Sequence, residues 1–176
     1  MIKYIFLEGL PGVGKTTIIN TIREKHLQGV FVVDEIVNEK ILSGESLTEF
    51  DFIENDMLKF ERFSDGVVVL DRGPISSLSY SQVKKLLKED YDISKAEESF
   101  LKLKHFLDDG EVVYLTNEGT SYLCRENDEM SPYGTIENQK LLEKITLENI
   151  EKYCKKYKIL KYHKDDIEWV INEILN

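Results

Sequence analysis

One short stretch near the N-terminus limits what this chain can fold into more than any other. GLPGVGKTT, residues 9–17, follows directly on the apolar run IKYIFLE, residues 2–8. Gly9 together with Gly14-Lys15-Thr16 fits the spacing G-x-x-x-x-G-K-[ST] of a phosphate-cradling loop. An apolar strand that ends in glycines and is followed by a lysine and helix-forming residues predicts a strand, a tight anion-binding turn and a helix, in that order. Gly9, Gly12 and Gly14 permit backbone angles and a close approach that side chains would block, and a helix is expected to begin near Lys15. Ile18, Ile19 and Ile22 give that helix a buried face.

The remainder of the chain supplies the setting such a loop needs. VFVVDE (30–35), VVVLD (67–71), VVYLT (112–116) and the weaker KILKYH (158–163) read as further buried strands, with helical spacing between them. Their apolar residues occupy both pleat faces, which is the pattern of a parallel sheet covered by helices on both sides. Ile93, Ala96, Phe100, Leu103 and Leu107 repeat at helical steps, with Ser94 and Glu97 expected as a capping box. Ile167, Val170, Ile171, Ile174 and Leu175 do the same at the C-terminus, with Asp165 and Glu168 as the expected cap. With no repeat, linker or low-complexity tract, residues 1–176 are expected to form a single α/β three-layer domain with right-handed crossovers.

Charge and composition exclude several functions. The net charge of -10 opposes a nucleic-acid or anionic-membrane surface, so a polyanionic ligand must be held by local groups. Cys124 and Cys154 lack metal-site or redox spacing. No apolar run approaches the ~20 residues of a membrane span. A cytosolic protein is expected, with a small-molecule substrate, no nucleic-acid or membrane partner, and a homodimer left open.

The candidate site residues follow from the loop. Gly9, Pro11, Gly12, Val13, Gly14, Lys15, Thr16 and Thr17 are the expected nucleotide-binding positions. Lys15 reaches toward the β- and γ-phosphates of ATP, and the Thr16 hydroxyl is a ligand for Mg2+. Asp71 ends the third strand after Val67, Val68, Val69 and Leu70, at the edge where ligands sit in open α/β sheets. A carboxylate there is expected to hold Mg2+, directly or through water, opposite Thr16.

The segment after Asp71, DRGPISSLSYSQ (71–82), resembles the D-R-Y/S-x-x-S-x-x-A-Y stretch of thymidylate kinases and the acidic-R-S stretch of deoxynucleoside kinases. Asp71, Arg72, Ser76 or Ser77, and Tyr80 match; Gly73 departs from the pattern. The resemblance implies a P-loop kinase fold, with a five-stranded parallel sheet in the order 2-3-1-4-5. It also implies that Arg72 lies in the cleft between donor and acceptor. Glu35, in VVDEIVNE, resembles the glutamate of the E-P-V stretch of deoxynucleoside kinases, which takes the proton from the acceptor hydroxyl; isoleucine stands here in place of proline. Asp34 is its competitor, since strand alternation points the two opposite ways. Glu8 resembles the E-G opening of these kinases, with support of the metal shell as its open role.

Two further segments bear on the acceptor. FIENDMLKFERFSDG (52–66) loosely resembles the acceptor-side helix of thymidylate-kinase-like proteins, with Phe52, Ile53, Leu58, Phe60 and Phe63 packing it and Asn55, Lys59 and Arg62 as polar contacts. Small kinases of this fold carry a mobile lid after the fourth strand, which implies a lid around 125–138 with Arg125 as its cationic residue. The resemblance therefore implies an ATP- and Mg2+-dependent phosphotransferase acting on a nucleoside or nucleoside monophosphate. A sugar or antibiotic alcohol as acceptor, or an ATPase or nucleotide-binding regulator with no acceptor, stays open. A GTPase would carry N-K-x-D after a later strand, and VVYLTNEG offers none.

Overall fold

In the computed structural model, which describes residues 1–45, 49–60, 63–88, 90–117 and 135–176, the apolar runs pair side by side as a parallel sheet. Its strands are β1 (Ile2–Glu8), β2 (Val30–Val33), β3 (Gly66–Asp71), β4 (Glu111–Asn117) and β5 (Tyr157–Tyr162). Among the described residues they run in the order β2-β3-β1-β4-β5, as the resemblance implies, and every pairing is parallel. The helices are α1 (Lys15–Glu24), α2 (Glu39–Leu42), α3 (Glu49–Leu58), α4 (Pro74–Leu87), α5 (Ser94–Asp109), α6 (Ile136–Tyr153) and α7 (Ile167–Leu175). None of the described helices is long and apolar enough to cross a membrane.

The two-residue period of β1 divides the core. Tyr4 and Phe6 point into one apolar layer with Val68 and Leu70 of β3, Ile75 and Leu78 of α4, and Phe100, Leu103 and Leu107 of α5. Ile5 and Leu7 point the other way, onto Ile18, Ile19 and Ile22 of α1 and Val170, Ile171 and Ile174 of α7. Each fully buried side chain of this kind contributes about 1.5–3 kcal/mol relative to exposure. Covering both faces is therefore what holds the central strands in register, and the register places Leu7 beside Asp71. The carboxyl ends of β1 and β3 thus finish together.

Three boundaries differ from the sequence expectation, each for a local reason. β2 stops at Val33, two residues early. Beyond it the chain leaves the sheet toward α3, where the Asn55 side chain accepts from the Val37 and Asn38 amides at 2.7 and 3.0 Å and donates to the Glu35 carbonyl at 2.8 Å. At α5 the Ser94 amide donates to the Asp92 carboxylate at 2.9 Å, and no Ser94–Glu97 capping box forms. Ahead of α7 a short 3-10 turn, Lys164–Asp166, carries a reciprocal box between His163 and Asp166, while Glu168 pairs with Lys25 at 2.8 Å.

The turn from β3 into α4 is pressed against β1. Gly73 has extended backbone angles, yet a Cβ at that position would lie 2.5 Å from the Phe6 ring. Close packing on a fully buried phenylalanine, and not the acceptor, accounts for glycine where the kinase pattern has an aromatic residue or serine. Gly73→Ala is expected to destabilise the fold by about 1–3 kcal/mol in urea denaturation, and adding Phe6→Leu should recover part of that loss. A Gly73→Ala variant as stable as the parent would contradict this packing.

Candidate active site

The loop between β1 and α1 uses its glycines as expected. Gly9, Gly12 and Gly14 have φ of 145°, 80° and 102°, in the region that side chains rarely adopt. Gly14 is the N-cap of α1; no side chain caps that end and its first turn contains no acidic residue. The loop is backed by β5, whose Tyr162 hydroxyl donates to the Val13 carbonyl. The positive end of α1 is thereby presented without an internal anion. Lys15 curls back over the loop, its ammonium donating to the Gly9 and Leu10 carbonyls at 2.9 Å each. Burial, then the Arg72 charge, pull its pKa down to about 7 against the carboxylates of Asp71, Glu35 and Glu8.

Thr16 and Asp71 face each other across this loop, with Thr16 Oγ1 3.5 Å from Asp71 Oδ2. The other carboxylate oxygen, Oδ1, is buried and has no hydrogen-bond partner among the described residues. Burial raises the Asp71 pKa, with Lys15 the largest opposing influence. A hydroxyl and a carboxylate with an unsatisfied oxygen form the hard-oxygen pair that Mg2+ takes while keeping waters and phosphate oxygens as its other ligands. Among the described residues no group of three or more His, Cys, Asp or Glu side chains forms an all-protein metal cage. Cys154 is buried and its thiol is pushed up to about 12 by burial, which leaves it unreactive.

Immediately after Asp71 the chain turns through Arg72 at φ 62°, a left-handed angle that costs a non-glycine residue about 1–3 kcal/mol. Several buried contacts hold it there. The Arg72 amide donates to the Leu7 carbonyl at 3.0 Å, and its Nη1 lies 3.2 Å from the Gly9 carbonyl and 3.3 Å from Ser76 Oγ. Lys59 donates to the carbonyls of Asp71 and Arg72 at 3.0 and 3.4 Å. Arg72 Nε is 2.9 Å from Glu35 Oε1; the contact is an ion pair whose N–H is not aimed along it, so Nε has no directed hydrogen bond. The guanidinium also sits over the Tyr80 ring at 5.4 Å.

Glu8 is fully buried and accepts from the Gly73 amide at 3.0 Å and from the Ser76 hydroxyl. Both carboxylate oxygens therefore anchor the start of α4. Its pKa rises to about 7 through burial, opposed first by the Ser76 hydrogen bond.

Beside Arg72 opens a cavity of about 490 Å³, whose lining includes Glu35, Asp56 and Lys59 on one side and Ser77, Tyr80 and Tyr91 on the other. Of the two competing carboxylates, Glu35 faces this cavity, whereas Asp34 pairs with the exposed Arg23 at 2.6 Å. The segment around α3 meets the amphipathic expectation in part, with Phe60 in the core and Phe63 packed against it. Asp51, Asn55 and Asp56 are buried along the helix, as is Lys59 just beyond its end, while Phe52 is 41% exposed at the cavity wall. Asp56 accepts from the Ser77 hydroxyl and lies 3.7 Å from Lys59, and burial raises its pKa. Asn55, Lys59 and Ser77, singled out in the sequence, line the cavity, and Asp56 is a further lining residue that the sequence did not single out. Arg62, Cys124 and Arg125 lie outside the described residues, as does most of the expected lid; residues 136–138 form the first turn of α6, capped by Thr135.

The chain matches no protein-family model and no curated protein in sequence. It is similar in structure to thymidylate kinase from Ehrlichia chaffeensis, at a TM-score of 0.65, 17% identity and coverage of 98% of this chain and 96% of that one. Thymidylate kinase from Candida albicans follows the same path, at a TM-score of 0.62, 16% identity and coverage of 97% and 88%. Deoxyadenosine kinase from M. mycoides, in a structure with bound dATP, is matched at a TM-score of 0.64 and 18% identity over 100% of both chains.

The raised pKa of Glu8 has a measurable consequence. Its carboxyl has an ordinary value of 4.5 and a folded value of about 7. Between these the folded chain keeps a proton that the unfolded chain loses, so stability from this group is present below 4.5 and is lost as pH rises through 7. Glu8→Gln cannot titrate. The stability difference, parent minus variant, is expected to fall by on the order of 3 kcal/mol across that window in urea denaturation; a difference that does not change with pH would contradict the buried setting. In topology, loop and strand-end placement, this chain has the P-loop fold of thymidylate and deoxyadenosine kinases.

Proposed function

We propose that this chain is an ATP- and Mg2+-dependent small-molecule kinase that transfers the γ-phosphoryl group to a nucleoside or nucleoside monophosphate. One observation carries the reading. The unsatisfied Asp71 oxygen and Thr16 face the Lys15 loop on one side of Arg72, and a cavity of acceptor size opens on the other. The shared fold supports the choice of kinase chemistry by analogy.

In this mechanism the loop amides and the α1 terminus hold the ATP phosphates, and Lys15 leaves the Gly9 and Leu10 carbonyls to meet them. Thr16 and Asp71 would hold Mg2+, which when bound would neutralise charge on the phosphates. Arg72 lies between the donor loop and the cavity, where its guanidinium stabilises charge on the phosphoryl group in flight. Glu35 accepts the proton of a hydroxyl placed at the Arg72 end of the cavity. Arg125 is proposed to close over the phosphates and exclude water.

Lys15→Ala and Asp71→Ala are each expected to lower turnover by at least about 10²-fold, because each removes a charge aimed at the transferring group. Their far-UV circular dichroism should stay unchanged. Asp71→Asn should also abolish the strengthening of ATP binding by Mg2+ in isothermal titration calorimetry. Near-normal turnover in either alanine variant would mean that the site is misplaced.

A further inference from the structure

We infer that the phosphoryl acceptor is an uncharged alcohol of about nucleoside size and not a phosphate ester; this rests on the kinase reading and narrows it. A monophosphate acceptor would have to place its own phosphate, with about two negative charges, at the Arg72 end of the cavity, since that phosphate is the nucleophile. It would need cations there that the protein does not already engage.

Each described positive group at that end already lies against a carbonyl or a carboxylate. Lys15 belongs to the donor loop. Lys59 is only 2% exposed, with its ammonium on the Asp71 and Arg72 carbonyls and 3.7 Å from Asp56. Arg72 gives Nη1 to the Gly9 carbonyl and Ser76 and faces Glu35 with Nε at 2.9 Å. The start of α4, the remaining source of positive potential, is covered by Glu8 at the Gly73 amide. Two carboxylates, Glu35 and Asp56, line the cavity beside these groups and would repel an incoming dianion.

Lys84 and Lys88 also line the cavity, but at the other end. Lys84 lies eight residues beyond Ser76 on α4, a separation of about 12 Å at the helical rise. The Lys84 ammonium sits over the Tyr91 ring at 4.6 Å.

An alcohol acceptor requires neither Lys59 nor Arg72 to give up its carboxylate partner. Its hydroxyl meets the Glu35 carboxylate, which is half exposed toward the cavity. The acceptor oxygen bonds to the γ-phosphorus as the bond from that phosphorus to the β–γ bridging oxygen breaks. The electron pair leaves on ADP, and the hydroxyl proton goes to Glu35. The volume of about 490 Å³ falls in the range of small-molecule sites. Phe52, Tyr80 and Tyr91 on its walls offer faces to a planar ring.

The test is ADP release by the full chain with ATP and Mg2+, comparing each nucleoside with its own monophosphate and with a set of hexoses. A nucleoside is expected to exceed its monophosphate by about a hundredfold in kcat/KM. Preference for the monophosphate would overturn this inference and leave the kinase reading intact. Stimulation by hexoses alone would overturn the nucleoside size, and stimulation by no acceptor would overturn the kinase reading itself. Glu35→Gln separates base from bystander: nucleoside kcat should fall by about 10²–10⁴-fold, while the KM for the monophosphate should drop. Equal losses with both acceptors would mean that Glu35 only holds Arg72.

Discussion

The buried polar seam between the carboxyl ends of β1 and β3 is the constraint on which the rest of the molecule depends. Arg72 bends the chain through a left-handed angle, and that bend would unfold without its partners. Leu7 and Gly9 carbonyls receive its amide and guanidinium, Lys59 covers the carbonyls of Asp71 and Arg72, and Glu8 fixes the Gly73 amide. Buried backbone groups without partners are costly, so each of these contacts removes a penalty as well as adding a bond. The same seam ties the glycine loop, the Thr16–Asp71 pair and the first turn of α4 into one unit.

Within that unit, cations are interleaved with carboxylates rather than gathered into a positive pocket. Lys15, Lys59 and Arg72 alternate with Glu8, Glu35, Asp56 and Asp71 in a region largely shielded from water. Under the proposed function, a chain with a net charge of -10 would hold a polyanion in this way because the attraction is local and weakly screened, whereas the long-range field is repulsive. Lys15 shows how it works. Desolvated, with its pKa lowered to about 7, it gains most when a phosphate replaces the two carbonyls it now touches.

Much of this was legible in the sequence where a physical rule acts locally. The glycine spacing, the apolar strands and the carboxylate at the end of the third strand each follow from backbone sterics or burial, and they occupy the places expected of them. The strand order came from the DRGPISSLSY resemblance, because crossovers leave no periodic signal. Around α3 the apolar pattern matches burial at Phe60, but Phe52 is exposed while Asp51, Asn55 and Asp56 are buried. Polar residues serving another segment's backbone, as Asn55 serves residues 35–38, have no signature in spacing alone. The expected caps of α5 and α7 differ for a similar reason, since Asp92 takes the Ser94 amide and Asp166 forms its box with His163.

The central claim, that the γ-phosphoryl group leaves ATP for an organic acceptor, is tested most directly by following ATP radiolabelled at the γ-phosphorus. With the chain, Mg2+ and a nucleoside mixture present, the label is predicted to appear in a phosphorylated acceptor resolved by chromatography. Label recovered solely as inorganic phosphate, at a rate that no acceptor changes, would contradict the account.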